Sequence, residues 1–422
     1  MLTLAGMNNH LRGGPAARFW VLLVLAGALA RPAGAQGLGN PLRRLLRRDT
    51  VGLGRVLARP AAYRVQILYT RIRRDARGGA HFRRYGYRLR PREYFYPAST
   101  VKLPTVALAL ARLRALGGQV PGLTADSPML TDSAFAGQAR VRRDTSAADG
   151  RPSVAHYVRR VLLVSDNDAY NRLYEFVGPG ALQAGLRRLG LRRSRVVGRL
   201  AVGDAPPNSL HTNPVAFYAD TACRQLLYRQ PAAYWAGPVP HWRLRGTRIG
   251  RAHVEGAAVV PGPLDLGQKN VLPLRDAQRA LRAILFPETL PARRRPALAP
   301  ADYALLRAAL SEAPGRGPWP RYDRAHYPDT YAKYLLGGGG QAALPPGVRV
   351  FNKIGQSYGF LIDHAYVTDA ARGVEFLLSA VVYVNADGVL NDDKYEYDTI
   401  GLPFLRELGR RVYEAECRRK RP

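Results

Sequence analysis

Three short motifs in this chain carry side chains that can do nucleophilic chemistry. Ser99-Thr100-Val101-Lys102 is the only Ser-x-x-Lys segment in the 422 residues, and it opens a stretch with helical periodicity. Residues three apart share one face of a helix, so the Lys102 amine can reach the Ser99 hydroxyl. A desolvated lysine in positive surroundings can lose its proton and act as the base for a serine nucleophile.

The second and third motifs supply groups that could bind and protonate a substrate. Ser165-Asp166-Asn167 lies between two helical patterns, where Ser165 could pass a proton to a leaving nitrogen and the Asn167 amide could hold a carbonyl. Lys353-Ile354-Gly355 lies in a strand pattern. Its lysine offers a cation to a carboxylate, and its glycine allows a close approach. Each motif by itself is a weak signal, because Ser, Asp and Asn are also ordinary helix-capping residues.

In this order and in these contexts, the motifs resemble those of the serine β-lactamase and penicillin-binding protein superfamily, and most closely those of class A β-lactamases. The resemblance covers residues 41–416. The loop Asp204-Ala205-Pro206-Pro207-Asn208 is similar to the Glu-x-x-Leu-Asn loop that holds the deacylating water in that family. The chain departs from the family in having Asp204 for the usual Glu, Ile354 for Thr or Ser, and a longer stretch between the second and third motifs.

The resemblance implies a mechanism with no cofactor and no metal. Ser99 would attack a strained amide, with Lys102 as proton acceptor or, alternatively, with the loop carboxylate acting through water. The backbone amides of Ser99 and Gln356 would form the oxyanion hole. Ser165 would donate a proton to the leaving nitrogen. The substrate would be bound by Asn167, Lys353 and Gly355. Asp204 and Asn208 would hold the deacylating water.

The expected function is therefore that of a secreted class A β-lactamase-like hydrolase, whose activity would give antibiotic resistance. The expected substrate is a small β-lactam or a peptidoglycan-like molecule. A DD-peptidase or esterase, and a non-catalytic binding protein on the same scaffold, remain alternatives, and the sequence leaves the oligomeric state open.

The N-terminus predicts export from the cytoplasm. Arg12 and Arg18 precede the apolar run 19–30, and Ala33-Gly34-Ala35-Gln36 follows as a small-x-small cleavage site. This is the pattern of a secretory signal peptide over residues 1–35 and indicates a secreted or periplasmic protein. An uncleaved membrane anchor is the alternative. Outside the cytoplasm the only two cysteines, Cys223 and Cys417, could pair or stay free.

The periodicities predict an α+β fold for the catalytic domain, residues 36–422. Strand patterns at 62–72, 81–89, 348–354, 359–367 and 374–384 indicate an antiparallel sheet built from both chain ends, over about 41–98 and 345–422. Helical patterns at 41–58, 99–116, 154–164, 166–177, 180–189 and 402–416 flank the sheet, and those within about 99–230 would form an inserted all-helical lobe. Residues 231–345, rich in Pro, Gly and Arg, read as an extended insertion with one helix near 301–311.

The net charge of +33 comes from 58 arginines and six lysines against 31 acidic residues. No zinc-finger, RNP or basic-zipper pattern accompanies this charge, so no specific nucleic-acid binding is predicted. A positive surface still favours contact with anionic cell-envelope polymers.

Two rival catalytic readings fit the sequence less well. Gly355-Gln356-Ser357-Tyr358-Gly359 matches a nucleophile elbow, but a strand pattern follows the serine where an elbow needs a helix. The eight histidines lack metal-ligand spacing on a helix, and Asp392-Asp393 lacks the spacing of a calcium loop.

Overall fold

The computed structural model describes residues 39–48, 52–135, 137–203, 205–317 and 319–419. Residues 41–422 form one compact unit, and residues 1–40 are grouped as a separate one. The predicted signal peptide and Asp204 lie outside the described residues. Within the described ranges, each helix is too short or too polar to cross a bilayer.

Nine α-helices lie in the described ranges: α1 (Pro41–Arg48), α2 (Gly54–Leu57), α3 (Lys102–Gly117), α4 (Val154–Leu163), α5 (Asn167–Val177), α6 (Pro179–Arg188), α7 (Leu274–Leu285), α8 (Pro300–Ser311) and α9 (Leu402–Cys417). The single helix predicted over 41–58 is replaced by α1 and α2. Eleven of the 16 residues of α3 are buried, which identifies it as a central helix enclosed by protein on most sides.

The described strands are β1 (Gln66–Arg74), β2 (Ala80–Tyr87), β3 (Met129–Thr131), β4 (His211–Thr212), β5 (Val215–Tyr218), β6 (Leu226–Gln230), β7 (Ala233–Tyr234), β8 (Arg248–Ile249), β9 (Ala252–Glu255), β10 (Ala258–Pro261), β11 (Leu264–Asp265), β12 (Val348–Ser357), β13 (Phe360–Asp369), β14 (Val374–Tyr383) and β15 (Val389–Leu390). Five of them form the main sheet in the order β12-β13-β14-β1-β2.

The main sheet joins the two ends of the domain. β1 pairs antiparallel with β14, so that Gln66 faces Val381 and Arg71 faces Phe376. Helices α1 and α9 cover one face, in an apolar cluster that includes Leu42, Leu46 and Val412. Helix α3 and its neighbours pack on the other face. The predicted α+β class, with an antiparallel sheet from both chain ends flanked by helices, is confirmed.

The middle of the chain differs from the prediction in two respects. The lobe over 99–230 is largely helical, but it also contains a three-stranded sheet of β3, β5 and β6. The region 231–345 is more than an extended insertion, because α7 and α8 contribute buried residues to the main core. Helix α7 was not predicted from the sequence, although Leu274, Ala277 and Leu281 have helical spacing. All three are buried.

The two cysteines do not form a disulfide. Cys223 is partly exposed, Cys417 is exposed, and both are free thiols. The pairing that the sequence left open is therefore absent from this structure.

Candidate active site

Ser99 lies on a tight turn immediately before α3. Residues Ala98–Val101 form one turn of 3-10 helix that runs directly into Lys102. The turn is fixed by Thr100, whose hydroxyl donates to the Pro97 carbonyl at 2.6 Å. Ala98 has φ of +46°, a left-handed conformation that is unfavourable for a residue with a side chain. Such strain is typical of a backbone held in place for function.

The Ser-Asp-Asn motif forms the turn between α4 and α5. Ser165 has φ of +63°, and Asp166 is the N-cap of α5, accepting a hydrogen bond from the Ala169 amide at 2.7 Å. The Asp166 carboxylate also pairs with Arg160 at 2.6 Å. Asp166 therefore has a structural role, and it turns Ser165 and Asn167 towards α3.

The Lys102 amine is buried and makes three polar contacts with this turn. It donates to the Ser165 carbonyl, to Asn167 Oδ1 at 2.6 Å and, more weakly, to Ser165 Oγ at 3.4 Å. The ring of Tyr170 lies 5.8 Å from the same nitrogen. Burial lowers the pKa of Lys102 to about 7, and nearby Asp166 opposes the shift. A substantial fraction of this amine is therefore neutral at physiological pH.

A second buried lysine reaches Ser165 from β12. Lys353 Nζ donates to Ser165 Oγ at 2.7 Å and to the Ile354 carbonyl at 2.9 Å. Burial first, and then the like charge of Lys102, hold the pKa of Lys353 well below its usual range. Only 1% of Lys353 is exposed, so the Ser165 hydroxyl lies between its amine and any substrate carboxylate in the cleft.

The edge of the sheet brings Gly355 against the nucleophile turn. β12 is the edge strand next to β13, and Gly355 is packed beneath residues 97–100. A Cβ atom at Gly355 would lie 2.8 Å from the Pro97 carbonyl oxygen and 3.1 Å from Thr100 Cγ2. The sequence predicts that this glycine allows close approach of a substrate; in the structure it makes room for the Ser99 turn.

Gly355→Ala is expected to displace the Ser99 turn. The added methyl group must push the backbone of residues 97–100 away, at a cost of about 1–3 kcal/mol in the free energy of unfolding. We expect covalent labelling by a fluorescent penicillin to slow by at least tenfold while the fold is retained. Gly347→Ala is the matched control. Its Cβ would make only an ordinary contact, at 3.5 Å, while its φ of +81° is unfavourable for alanine. The control should lose stability but keep its labelling speed. A Gly355→Ala protein that is labelled as fast as the wild type would contradict the expectation.

An open cleft lies in front of Ser99. Its cavity volume is about 220 Å³, and both Ser99 and Gln356 line it, together with Asn167. Tyr96 and Tyr358 form part of the wall and pack edge to face with 4.9 Å between ring centroids. The sequence does not predict these two tyrosines as site residues, since an aromatic residue in a strand or turn gives no signal of its own.

The loop that contains Asp204 is fastened to α5 on both sides of the undescribed residue. Tyr170 Oη donates to the Gly198 carbonyl at 2.9 Å, and Tyr174 Oη donates to the Ser209 carbonyl at 2.7 Å. Asn171 exchanges two hydrogen bonds with the backbone of Leu200, at 2.8 and 3.0 Å. Helix α5 thus carries both the Ser-Asp-Asn turn and the anchors of the predicted deacylation loop.

Asn208, whose expected partner Asp204 lies outside the described residues, keeps its deacylation role as a prediction. It is exposed, and among the described residues it is not part of the cleft wall. Its backbone carbonyl accepts a hydrogen bond from Arg199 at 3.3 Å. Of the predicted site residues, the structure therefore brings together Ser99, Lys102, Ser165, Asn167, Lys353, Gly355 and Gln356, and it leaves Asn208 outside the group.

A buried ion pair stabilises the same loop. Arg199 and Glu175 contact each other with both side chains fully buried. Burial raises the pKa of Glu175, although the Asn213 amide and Arg199 oppose that shift by donating hydrogen bonds to the carboxylate. Such pairs are costly to break, because the remaining charge stays buried without compensation.

Arg199→Met is expected to reduce the free energy of unfolding by about 3–5 kcal/mol. The double variant Arg199→Met with Glu175→Met should recover part of that loss, since it leaves no buried charge. Urea unfolding of the two variants and the wild type measures the difference. A double variant less stable than Arg199→Met would show that the carboxylate does not depend on Arg199.

The two rival catalytic readings find no support in this geometry. Ser357 ends β12 and pairs with Phe360 across Tyr358-Gly359, whose φ values are +51° and +77°. This is a two-residue β-hairpin and not the strand-to-helix turn of a nucleophile elbow. Within the described residues, no group of three or more His, Cys, Asp or Glu side chains could hold a metal ion.

Comparisons with known proteins agree with the motifs. Residues 72–224 match the model of the β-lactamase enzyme family, a range that holds the first two motifs and the Asp204 loop. The match confirms the resemblance to serine β-lactamases over that segment. A comparison with curated proteins finds no match.

Solved structures with similarity to this chain include two β-lactamases and a protein called PBP-A. The β-lactamase of Desulfarculus baarsii is 19% identical with a TM-score of 0.48, covering 89% of this chain and 98% of that one. The β-lactamase of Burkholderia vietnamiensis is 17% identical with a TM-score of 0.48, covering 90% and 98%. PBP-A is 16% identical with a TM-score of 0.46, covering 88% and 95%.

Proposed function

We propose that this protein is a secreted serine hydrolase of the class A β-lactamase type, which opens β-lactam amides through an acyl-enzyme on Ser99. One observation carries the proposal. Two buried lysine amines converge on the Ser165 hydroxyl, and one of them belongs to the helix that begins three residues after Ser99. The family match of residues 72–224 supports the same chemistry.

Acylation begins with proton transfer from Ser99. A neutral Lys102 amine has two N–H donors, which the Ser165 carbonyl and Asn167 Oδ1 accept. Its lone pair remains for the Ser99 proton as Ser99 Oγ bonds to the carbonyl carbon. The backbone amides of Ser99 and Gln356, both in the cleft wall, stabilise the oxyanion.

Collapse of the tetrahedral intermediate needs a proton on the leaving nitrogen. Ser165 Oγ accepts a hydrogen bond from Lys353, which leaves the Ser165 proton free to be donated. As the carbon–nitrogen bond breaks, Ser165 gives this proton to the nitrogen. The Lys102 ammonium, 3.4 Å from Ser165 Oγ, then returns a proton to Ser165. Lys353 is thus assigned to orienting Ser165, in addition to the carboxylate binding that the resemblance implies.

Asp204 is assigned to deacylation. An aspartate is one methylene shorter than the glutamate of the family, and a base misplaced by about 1 Å can cost on the order of 10²-fold in rate. We therefore expect a long-lived acyl-enzyme with ordinary penicillins. Asp204→Asn should lengthen its lifetime further with acylation nearly unchanged, and Asp204→Glu should shorten it.

Stopped-flow burst kinetics with intact-protein mass spectrometry measures that lifetime. Asn208→Ala serves as a comparison within the same loop. An acyl-enzyme of equal lifetime in the wild type and Asp204→Asn would return Asp204 to the role of a loop residue.

A DD-peptidase is a second candidate, favoured by the extent of the open space. A further cavity of about 610 Å³ adjoins Asn167, and Leu200 and Ala201 line both it and the cleft. Phe135 also lines it, which offers a peptide an apolar contact. Product analysis decides between the candidates: release of D-alanine from a D-Ala-D-Ala peptide supports the peptidase, and hydrolysis of a chromogenic cephalosporin supports the β-lactamase.

Export is part of the proposal and rests on the sequence of residues 1–36. Expression with cell fractionation tests it, followed by mass determination of the mature protein. We expect an N-terminus at Gln36 in the exported fraction. A full-length product in the cytoplasm would contradict the assignment.

A further inference from the structure

A cavity of about 490 Å³ lies on the sheet face that α1 and α9 cover. Helix α3, which carries Lys102, packs on the opposite face. The proposed chemistry at Ser99 uses no residue of this cavity. Its wall combines aliphatic side chains with several guanidinium groups.

The apolar part of the wall comes from both helices. Leu42 and Leu45 project from α1, and Val412 and Ala415 project from α9. Leu42 and Val412 belong to the buried core beneath, while Leu45 is half-buried. The cavity is therefore an opening in the hydrophobic packing that reaches the surface.

Five arginines surround the apolar part: Arg44, Arg48, Arg71, Arg411 and Arg418. Two of them already have close carboxylate partners. Arg71 contacts the buried Glu416 at 3.1 Å, and Arg411 contacts Glu407 at 2.6 Å. A third carboxylate, that of Glu414, lies 3.9 Å from both Arg411 and Arg418.

The other three arginines carry positive charge with little compensation. Among the described residues, Arg44 and Arg48 contact no carboxylate, and Arg418 approaches Glu414 only at 3.9 Å with 74% of its side chain exposed. A long, exposed ion pair of this kind contributes little free energy. The rim thus presents three guanidinium groups to whatever enters the cavity.

The sequence of α1 adds an energetic argument. Its eight residues include four arginines and no acidic residue, so Arg43 faces Arg47 and Arg44 faces Arg48 one turn apart. Like charges at this spacing destabilise a helix by about 0.2–0.5 kcal/mol per pair. An anion held between Arg44 and Arg48 would remove part of that repulsion.

We propose that this cavity binds a single-chain amphiphilic anion, with its hydrocarbon chain against α1 and α9 and its headgroup on Arg44, Arg48 and Arg418. Guanidinium groups bind carboxylate and phosphate oxygens in the same forked geometry, so either headgroup satisfies the site.

The test measures binding by isothermal titration calorimetry on the full chain, below the critical micelle concentration of each probe. Laurate and dodecyl phosphate carry the two headgroups, and dodecyl maltoside carries the same chain without charge. We expect one molecule of at least one anionic probe per chain, bound at least tenfold more tightly than the maltoside. Comparison of laurate with dodecyl phosphate identifies the preferred headgroup. Equal binding of the maltoside and both anions would overturn the proposal.

Two variants separate this site from the general positive charge of the surface. The triple variant Arg44→Gln, Arg48→Gln and Arg418→Gln should weaken binding of the preferred anion at least tenfold. The control variant Arg77→Gln, Arg92→Gln and Arg293→Gln removes the same charge from exposed positions elsewhere and should bind as the wild type does. If both triple variants bind the anion equally weakly, the effect comes from net charge alone, and the proposal of a specific site is refuted.

Ala415→Trp tests the apolar half of the site, since the indole would occupy space in the cavity that the hydrocarbon chain needs. Binding of the anion should be lost while the melting temperature, measured without probe, stays within a few degrees of the wild-type value. If Ala415→Trp unfolds, Ala415→Leu replaces it and should weaken binding to a smaller extent. A folded Ala415→Trp protein that binds the anion as the wild type does would overturn the proposal.

Discussion

Ser99→Ala is expected to abolish both β-lactam hydrolysis and covalent labelling. No other serine in the chain has a lysine three residues later, and the Lys102 amine lies at the start of the helix that follows. Loss of the nucleophile removes the acyl-enzyme pathway altogether, so we expect turnover to fall by roughly 10⁴-fold or more. A fluorescent penicillin followed by gel electrophoresis and peptide mass spectrometry provides the measurement.

Ser357→Ala is the matched control for this experiment. Ser357 lines the same cleft and lies in the Gly-x-Ser-x-Gly segment, but it belongs to a hairpin turn. We expect this variant to be labelled on Ser99 at close to the wild-type rate. A label found on Ser357 in the wild type, or a Ser99→Ala protein that is still labelled, would refute the assignment of the nucleophile.

Lys102→Met and Lys102→Arg should both slow acylation by about 10²–10⁴-fold, because each removes the base that accepts the Ser99 proton. The arginine variant keeps a positive charge, but a guanidinium does not lose its proton in proteins. Equal loss in the two variants would therefore identify proton transfer, and not charge, as the contribution of Lys102. Lys269→Met, at a lysine that lines the cleft, is the control and should change the rate little.

The pH dependence of acylation provides a second test of Lys102. Its pKa is lowered to about 7 by burial, and only the neutral amine accepts a proton. The neutral fraction grows as pH rises, so the acylation rate should increase through pH 7 and level off above it. Single-turnover labelling between pH 5 and 9 measures the profile. A rate that is flat across this range, or that falls as pH rises, would exclude Lys102 as the base.

Lys102 also makes the stability of the fold depend on pH. The unfolded lysine binds its proton up to about its ordinary pKa of 10.5, whereas the folded one releases it near 7. Between these values the unfolded state holds more protons, so this group makes the folded state more stable as pH rises. The same sign holds for Lys333, another buried lysine, whose pKa burial lowers to about 8.

The sequence by itself determined the features that depend on neighbouring residues. Alternation over residues 62–72 and strand patterns at the four other segments predicted the five strands of the main sheet, because the residues of a strand show which of its faces are buried. The Ser-x-x-Lys spacing predicted that Lys102 follows Ser99 at a helix start, because three residues make almost one turn of helix. The Ser-Asp-Asn turn between two helices was also predictable, because the residues that cap a helix are its neighbours in sequence.

Only the tertiary structure decided the environment of these groups. Lys353 lies 188 residues from Ser165, yet its amine is 2.7 Å from the Ser165 hydroxyl because the edge strand β12 packs beside the Ser99 turn. The low pKa of Lys102 follows from the exclusion of water by residues distant in sequence, which no spacing reveals. The path of the Asp204 loop is also a tertiary feature, because hydrogen bonds from α5 hold the backbone at Leu200 and Ser209.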